Sequence, residues 1–251
     1  MLINEKCKAS IITVCFNSEK TIERTIKSVL NQTSHDFEYV IIDGKSTDAT
    51  LEIINGYKEL FEKNHINLRI ISEKDNGMYD AMNKGILLAR GEIIGIINSD
   101  DWFEPIAVET AIQTFEETNC DLFFADLRII RKNGKKILKK ARLRKFATTR
   151  NWNHPTSFVA KRTYEELGLF SLHSMYDDWD FYLRVKKENK KIVIKNIVLA
   201  NFVFGGVSNK KTLKDAITRC KYKYWCYRNN NFSRLYWFEC FVMEIAKFFL
   251  S

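Results

Sequence analysis

Two clusters of carboxylates stand where a chain gathers like charge only for a reason. The first is Asn98-Ser99-Asp100-Asp101, which ends the apolar run Glu92-Ile93-Ile94-Gly95-Ile96-Ile97. The second is Asp177-Asp178-Trp179-Asp180. Adjacent carboxylates repel unless a cation lies between them. Asp100 and Asp101 are therefore candidates for holding Mg²⁺ or Mn²⁺, hard ions that bind oxygen and bridge phosphates. The competing reading is an N-cap for a helix beginning in Trp102-Phe103-Glu104-Pro105. In the second cluster Asp180 lies four residues before Arg184, the spacing of an ion pair along a helix. That leaves Asp177 and Asp178 as a general base, or as caps at a helix entrance.

The elements that must position these groups follow from hydrophobic period. Ala9–Phe16 is a β-branched, apolar run that reads as a buried strand, and Ile22, Ile26, Val29 and Leu30 repeat at helical spacing, with Ser18 a cap. Phe37–Asp43, Leu68–Ser72 and Glu92–Asn98 read as further strands, separated by helices over Thr50–Lys63 and Met78–Ala89. Strands alternating with helices imply right-handed crossovers and a mainly parallel sheet covered on both faces. Ligands of such sheets bind outside the carboxyl ends of the strands. Those ends carry Asn17, Asp43 to Asp48, Glu73 to Gly77 and Asn98 to Asp101, which outlines one shared site.

Beyond residue 105 the pattern changes. Asn133-Gly134 between alternating stretches predicts a hairpin. Thr156–Ala160 reads as a strand, Arg162–Leu167 and Asp178–Lys187 as helices, Lys190–Phe204 as strand, and everything from Thr212 onward as helix. The hairpin region from Arg128 to Arg150 is dense in Lys and Arg, either a solvated sheet edge or an attraction for anionic lipid or a diphosphate-linked acceptor.

The 251 residues suit one large α/β domain with an appendage. Forty Lys and Arg against 31 Asp and Glu give a net charge of +9, which favours an anionic partner without choosing among nucleic acid, membrane and phosphorylated substrate. Six cysteines lack zinc-site spacing and read as reduced thiols. The N-terminal residues carry no apolar leader and no run is long and uncharged enough to span a bilayer, so the expectation is a chain kept on the cytoplasmic side. Neither a Gly-x-Gly-x-x-Gly turn nor a Gly-Lys-Ser/Thr loop occurs, so a dinucleotide fold and a P-loop both lack their phosphate-binding device.

Four blocks in order, "SIITVCFNSEKTIERTIKSVLNQT", "FEYVIIDGKSTDAT", "SEKDNGMYDAMNKGI" and "GEIIGIINSDDWF", resemble family-2 inverting glycosyltransferases of the GT-A fold, of the bacterial cell-surface glycan type. The resemblance is close over about residues 8–105 and looser through "HPTSF", "YDDWDFYLR" and "FGGVS" to about residue 209. It implies an α/β, Rossmann-like sheet with a hairpin insertion and a helical tail. Residues 1–105 would be the nucleotide-sugar-binding half, 106–209 the acceptor-binding half, and 210–251 an amphipathic tail. By resemblance, Cys15, Phe16, Asn17 and Asp43 hold the nucleoside of a nucleotide-sugar, UDP-linked in the leading reading. Asp75 and Asp80 contact the nucleotide or position the donor sugar, and Asp178 is the base. Where many relatives carry a second Asp after the first, this chain has Gly44. The family's Asp-x-Asp falls on Asn98-Ser99-Asp100, so Asp100 and Asp101 carry the metal and Asn98 orients a sugar hydroxyl or a metal-bound water. On the acceptor or diphosphate side stand His154, Asp177 and Ser208, the last in a Gly-Gly loop with Lys210 and Lys211 that either closes on a diphosphate or is simply a basic loop.

The tail gathers Glu239, Glu244 and Lys247 on one side of a helical wheel and Phe238, Phe241, Val242, Ile245, Phe248 and Phe249 on the other. It suits a membrane interface, the domain's own core or a second subunit. Single-stranded nucleic acid would suit its aromatic and basic residues but leaves the acidic rim without a purpose. The expected function is metal-assisted transfer from a nucleotide-sugar to a glycan or lipid-linked acceptor, peripheral to the inner face of the cytoplasmic membrane. The rivals are a nucleotidyltransferase forming a nucleotide-sugar and a non-catalytic, membrane-associated nucleotide-binding protein.

Overall fold

The computed structural model describes residues 7–204 and 212–250. Its centre is four parallel strands in the order β3 (Asn67–Ser72), β2 (Phe37–Asp43), β1 (Ala9–Cys15) and β4 (Ile93–Ile96). Every residue of β1, β2 and β4 is buried, because helices cover both faces. One layer contains α1 (Ile22–Leu30), α2 (Thr50–Gly56) and α3 (Lys58–Lys63), and the other contains α4 (Met78–Leu88). The register sets Cys15 beside Asp43 and Asp43 beside Ser72, so the carboxyl ends of three strands finish on one rim.

The sheet then becomes mixed. After β5 (Trp102–Phe103) and α5 (Ala107–Thr118), strand β6 (Leu122–Ile130) forms a hairpin with β7 (Lys136–Lys139) across Asn133-Gly134. β8 (Phe158–Ala160) lies antiparallel between β4 and β6. Gly95 permits this junction, since a Cβ there would sit 2.6 Å from the Phe158 ring. The long β9 (Ile192–Val203) runs parallel to β6 and pairs with β5.

Several expectations change at helix ends. Asp100 and Asp101 cap nothing: β5 intervenes and α5 begins only at Ala107, with Ile106 at its N-cap. The helix expected over Thr50–Lys63 breaks into two at Tyr57, and α1 begins after Thr21, with Ser18 contributing its carbonyl rather than a side-chain cap. His154 to Thr156 form one 3-10 turn ahead of β8. After α6 (Lys161–Leu167) and α7 (Asp177–Lys187), the tail is not one helix but a hairpin of α8 (Leu213–Asn229) and α9 (Tyr236–Leu250). Thr212 caps α8 by accepting the Asp215 amide at 3.1 Å.

Candidate active site

At the carboxyl ends of the parallel strands the loops after β1 and β2 are stitched together. Asn17, at φ 48°, accepts the Thr47 amide on its Oδ1 at 2.9 Å, and Ser46 Oγ accepts the Asn17 amide at 2.8 Å. Asp43 is fully buried and its carboxylate is occupied: Oδ2 accepts the Ser46 amide at 3.0 Å and the Ser72 hydroxyl at 2.6 Å, while Oδ1 accepts the Ser46 hydroxyl and the Cys15 thiol. This is the turn-forming use of an aspartate. Asp43 shapes the floor under the rim, and Cys15 is a buried thiol pushed up in pKa by desolvation and by Asp43.

Above that floor stands the Phe16 ring, 59% exposed and free to stack. A Cβ on Gly44 would lie 2.6 Å from Asp75 Oδ2 and 3.4 Å from the Phe16 ring. Asp75 therefore fills the space over Gly44, and its carboxylate stands where a side chain at position 44 would begin. Its Oδ1 also accepts the Gly77 amide at 2.9 Å. Asp80 has the structural role: it accepts the Asn76 amide at 2.9 Å at the start of α4 and lies 3.7 Å from Lys84.

The two carboxylates after β4 part company. Asp100 is partly exposed, with its carboxyl pKa raised by burial and held back by its own backbone amide and by Arg24. Asp101 is fully buried; its Oδ1 accepts the Val203 amide at 3.0 Å and its Oδ2 has no partner. Burial first, and then Asp100, push the Asp101 pKa well above the ordinary value. Arg24 donates to the Asp100 carbonyl at 2.7 Å and lies 3.9 Å over the Trp102 ring. Asn98 Oδ1 is also buried without a partner. These orphaned oxygens and desolvated carboxyls fit a divalent cation. Among the described residues there is no group of three or more His, Cys, Asp or Glu for one, so substrate oxygens and water would complete its shell.

At the head of α7 the Asp cluster resolves by elimination. Asp177 is fully buried and accepts the amides of His173 at 2.8 Å and Ser174 at 2.9 Å. Asp180 is paired with Arg184 at 3.2 Å and accepts Asn230 Nδ2 at 2.7 Å. Asp178 is half-buried at the head of α7, and one oxygen is held: Oδ1 accepts the Tyr79 hydroxyl at 2.8 Å. His154 lies near enough for Asp178 to oppose the burial that drives its pKa down, and its Nε2 is buried without a partner. Its ring meets Trp152 and Phe170 edge-on.

Asp178, Tyr79 and His154 thus converge from α7, α4 and the 3-10 turn, and Tyr79, in the first turn of α4, lies four positions after Asp75 of the preceding loop. Sequence reasoning missed Tyr79 and Arg24. Tyr79 fits the buried face of α4 and Arg24 the solvent face of α1 without the contacts they make, so no local signal marked either one. Ser208 lies outside the described residues.

Residues 10–166 match the family described as Glycosyl transferase family 2. The chain is similar to a PGL/p-HBAD biosynthesis glycosyltransferase of Mycobacterium bovis (strain BCG / Pasteur 1173P2), 31% identical over 217 residues, covering 84% of this chain and 82% of that protein. Among solved structures it superposes on S. aureus TarS residues 1–349 in complex with UDP, with TM-score 0.68 and 19% identity, covering 97% of this chain and 72% of that one. It also matches the mannosyltransferase PcManGT of Pyrobaculum calidifontis in complex with GDP-Man and Mn²⁺, with TM-score 0.66 and 15% identity, covering 99% and 71%. At these identities the two structures establish a shared GT-A fold.

Proposed function

The chain belongs to glycosyl transferase family 2 and is a glycosyltransferase, and from that premise we propose an inverting, metal-assisted transfer with Asp178 as base. The donor is a nucleotide-sugar, UDP-linked in the preferred reading, and the acceptor is a glycan or lipid-linked sugar at the inner face of the cytoplasmic membrane. The observation that carries the assignment is the division of labour in Asp177-Asp178-Trp179-Asp180. Two of the three carboxylates are consumed by structure, and Asp178 alone keeps an oxygen open while Tyr79 fixes the other.

Asp178 takes the proton of the acceptor hydroxyl as that oxygen bonds to the anomeric carbon. The bond from that carbon to the diphosphate breaks on the opposite face, and the electron pair leaves with the nucleoside diphosphate. Tyr79 holds Asp178 in place, and its oxygen also lies 3.2 Å from the Met175 carbonyl. The one phenolic proton can therefore turn to Met175 once Asp178 carries a proton of its own, which keeps both states of the base hydrogen-bonded. Phe16 stacks on the nucleobase, Asp75 reads its edge from the space over Gly44, and Asp43 with Ser46 and Asn17 fixes the loops beneath. Asp100, with Asp101 Oδ2, would hold Mn²⁺ or Mg²⁺, which when bound stabilises charge on the departing diphosphate. Asn98 faces the sugar or a water, and His154 the acceptor.

A nucleotidyltransferase would release pyrophosphate from a nucleoside triphosphate, and family membership favours transfer over that alternative. A thermal-shift screen of nucleotide-sugars with and without Mn²⁺ tests the reading, because a ligand that binds the native state raises its stability by mass action. A UDP-sugar should raise the melting temperature more with Mn²⁺ than without, and transfer should follow for the same donor. Stabilisation by nucleoside triphosphates alone, with pyrophosphate release, would overturn it.

A further inference from the structure

The helical hairpin at the end of the chain is built inside out. In α9, Glu244 is 3% exposed and paired with both Arg219 and Lys223 of α8, themselves buried. Glu239 meets the Tyr227 hydroxyl at 3.3 Å, and Cys240 is fully buried. Large apolar side chains among the described ones point the other way: Leu235 is 71% exposed, Phe238 61%, Val242 60%, and Trp237 and Phe241 stack on each other in the open. Buried ion pairs stabilise a fold no better than apolar residues of similar size. A helix that only needed to pack would turn its apolar face inward, so the inversion marks a surface kept for something outside the chain.

A second segment, remote in sequence, joins that surface. Tyr227 donates to the Ala147 carbonyl at 2.8 Å, and the Ala147 amide donates to Tyr236 Oη at 3.2 Å. The two tyrosines stack at 4.1 Å, so Ala147 is clamped against the base of the hairpin. Its neighbour Phe146 is 71% exposed. Within four residues of Phe146 in sequence are Arg142, Arg144, Lys145 and Arg150, all exposed, and Arg150 is close enough to Glu239 to act on its carboxyl.

We propose that Phe146, Leu235, Trp237, Phe238, Phe241 and Val242, flanked by these four cations, form a docking surface for an anionic lipid bilayer. This names the partner of the membrane-facing part of the function proposed above and rests on it. The chemistry is that of an interfacial segment: aromatic and aliphatic groups enter the headgroup boundary while Arg and Lys meet lipid phosphates. No described helix is long and apolar enough to cross a membrane, and the docking proposed is of a helix face on the bilayer surface. A second copy of the chain fits less well, because a two-fold contact would set the cations of the 142–150 loop against their own counterparts.

Flotation of the full chain with phosphatidylcholine vesicles, with and without phosphatidylglycerol, tests this, with light scattering on the same samples. The protein should float with the anionic vesicles as a monomer and lose binding as salt rises. Replacing Arg142, Arg144 and Lys145 by Gln should weaken binding about a hundredfold, and Phe238→Asp should abolish it. In both variants the thermal shift given by UDP with Mn²⁺ should be retained. Failure to float while that shift persists overturns the docking surface alone; flotation with no response to any nucleotide overturns the transfer reading alone. A dimer that Phe238→Asp dissociates, or equal binding to neutral vesicles, also overturns the proposal.

Discussion

The Tyr79 hydroxyl donates to Asp178 Oδ1 at 2.8 Å across 99 positions of sequence. The phenol sits in a desolvated pocket, and burial first, then Asp178, push its pKa far up, so it stays protonated and a donor. A hydrogen bond to a charged group contributes about 1.5–3 kcal/mol, so Tyr79→Phe should lower turnover by roughly ten- to a hundredfold. Because the loss is in placing the base, it should fall on kcat and leave the donor KM unchanged. Steady-state kinetics against both substrates check this; an effect confined to KM would make Tyr79 a binding residue instead.

Gly44→Ala should weaken donor binding without unfolding the domain. The new Cβ would fall 2.6 Å from Asp75 Oδ2, so the carboxylate must leave its place beside Phe16. Crowding of this kind costs about 1–3 kcal/mol when neighbours cannot move, but Asp75 is a side chain at a loop and can swing away. The affinity loss should match that of Asp75→Ala, and the double variant should be no worse than either single one. Calorimetric titration of the donor measures all three.

The carboxylates after β4 make a pH prediction. The Asp100 and Asp101 pKa values are raised in the folded protein, chiefly by burial. The native state therefore holds protons that the unfolded chain has released, and stability falls as pH rises from the ordinary carboxylate range through the raised values. On the proposed metal-assisted reading Mn²⁺ would replace those protons, so its stabilisation should be large at neutral pH and small in acid. Melting curves with Mn²⁺ and with a chelator, across pH, check the sign. Asp101→Asn should flatten the chelator curve.

Glu244→Ala should destabilise the protein strongly, because Arg219 and Lys223 lose the carboxylate that holds them in the interior. Removing one partner of a buried ion cluster typically costs about 3–5 kcal/mol. The hairpin also braces α7, which carries the proposed base Asp178, through Asn230 and Asp180, so turnover should fall with it. Denaturant unfolding followed by both fluorescence and activity would show whether the two losses coincide.

The parallel half of the fold was legible because each strand is an unbroken apolar run ending in a polar residue, and the register of β1, β2 and β3 then sets those ends on one rim. A strand was expected over Thr156–Ala160 and β8 falls within it, but its antiparallel insertion between β4 and β6 was not legible, since so short a strand does not specify its partners. Among the acids, Asp180 was assigned its Arg184 partner from spacing alone, and the structure agrees. Asp43, Asp80 and Asp177 also organise their own loops, a use that a list of carboxylates does not reveal. The direction in which α9 faces was hidden for a similar reason. A helical wheel divides polar from apolar, but only the partners Arg219 and Lys223 reveal which side is inward.

The most direct test of the account is Asp178→Asn, which keeps the size of the side chain and its bond to Tyr79 while removing the basic oxygen. Donor binding, followed by calorimetry with Mn²⁺, should be unchanged, and transfer to acceptor should fall by about 10²- to 10⁴-fold, the usual contribution of a general base. Turnover close to that of the unmodified enzyme, with donor binding intact, would contradict the assignment of Asp178.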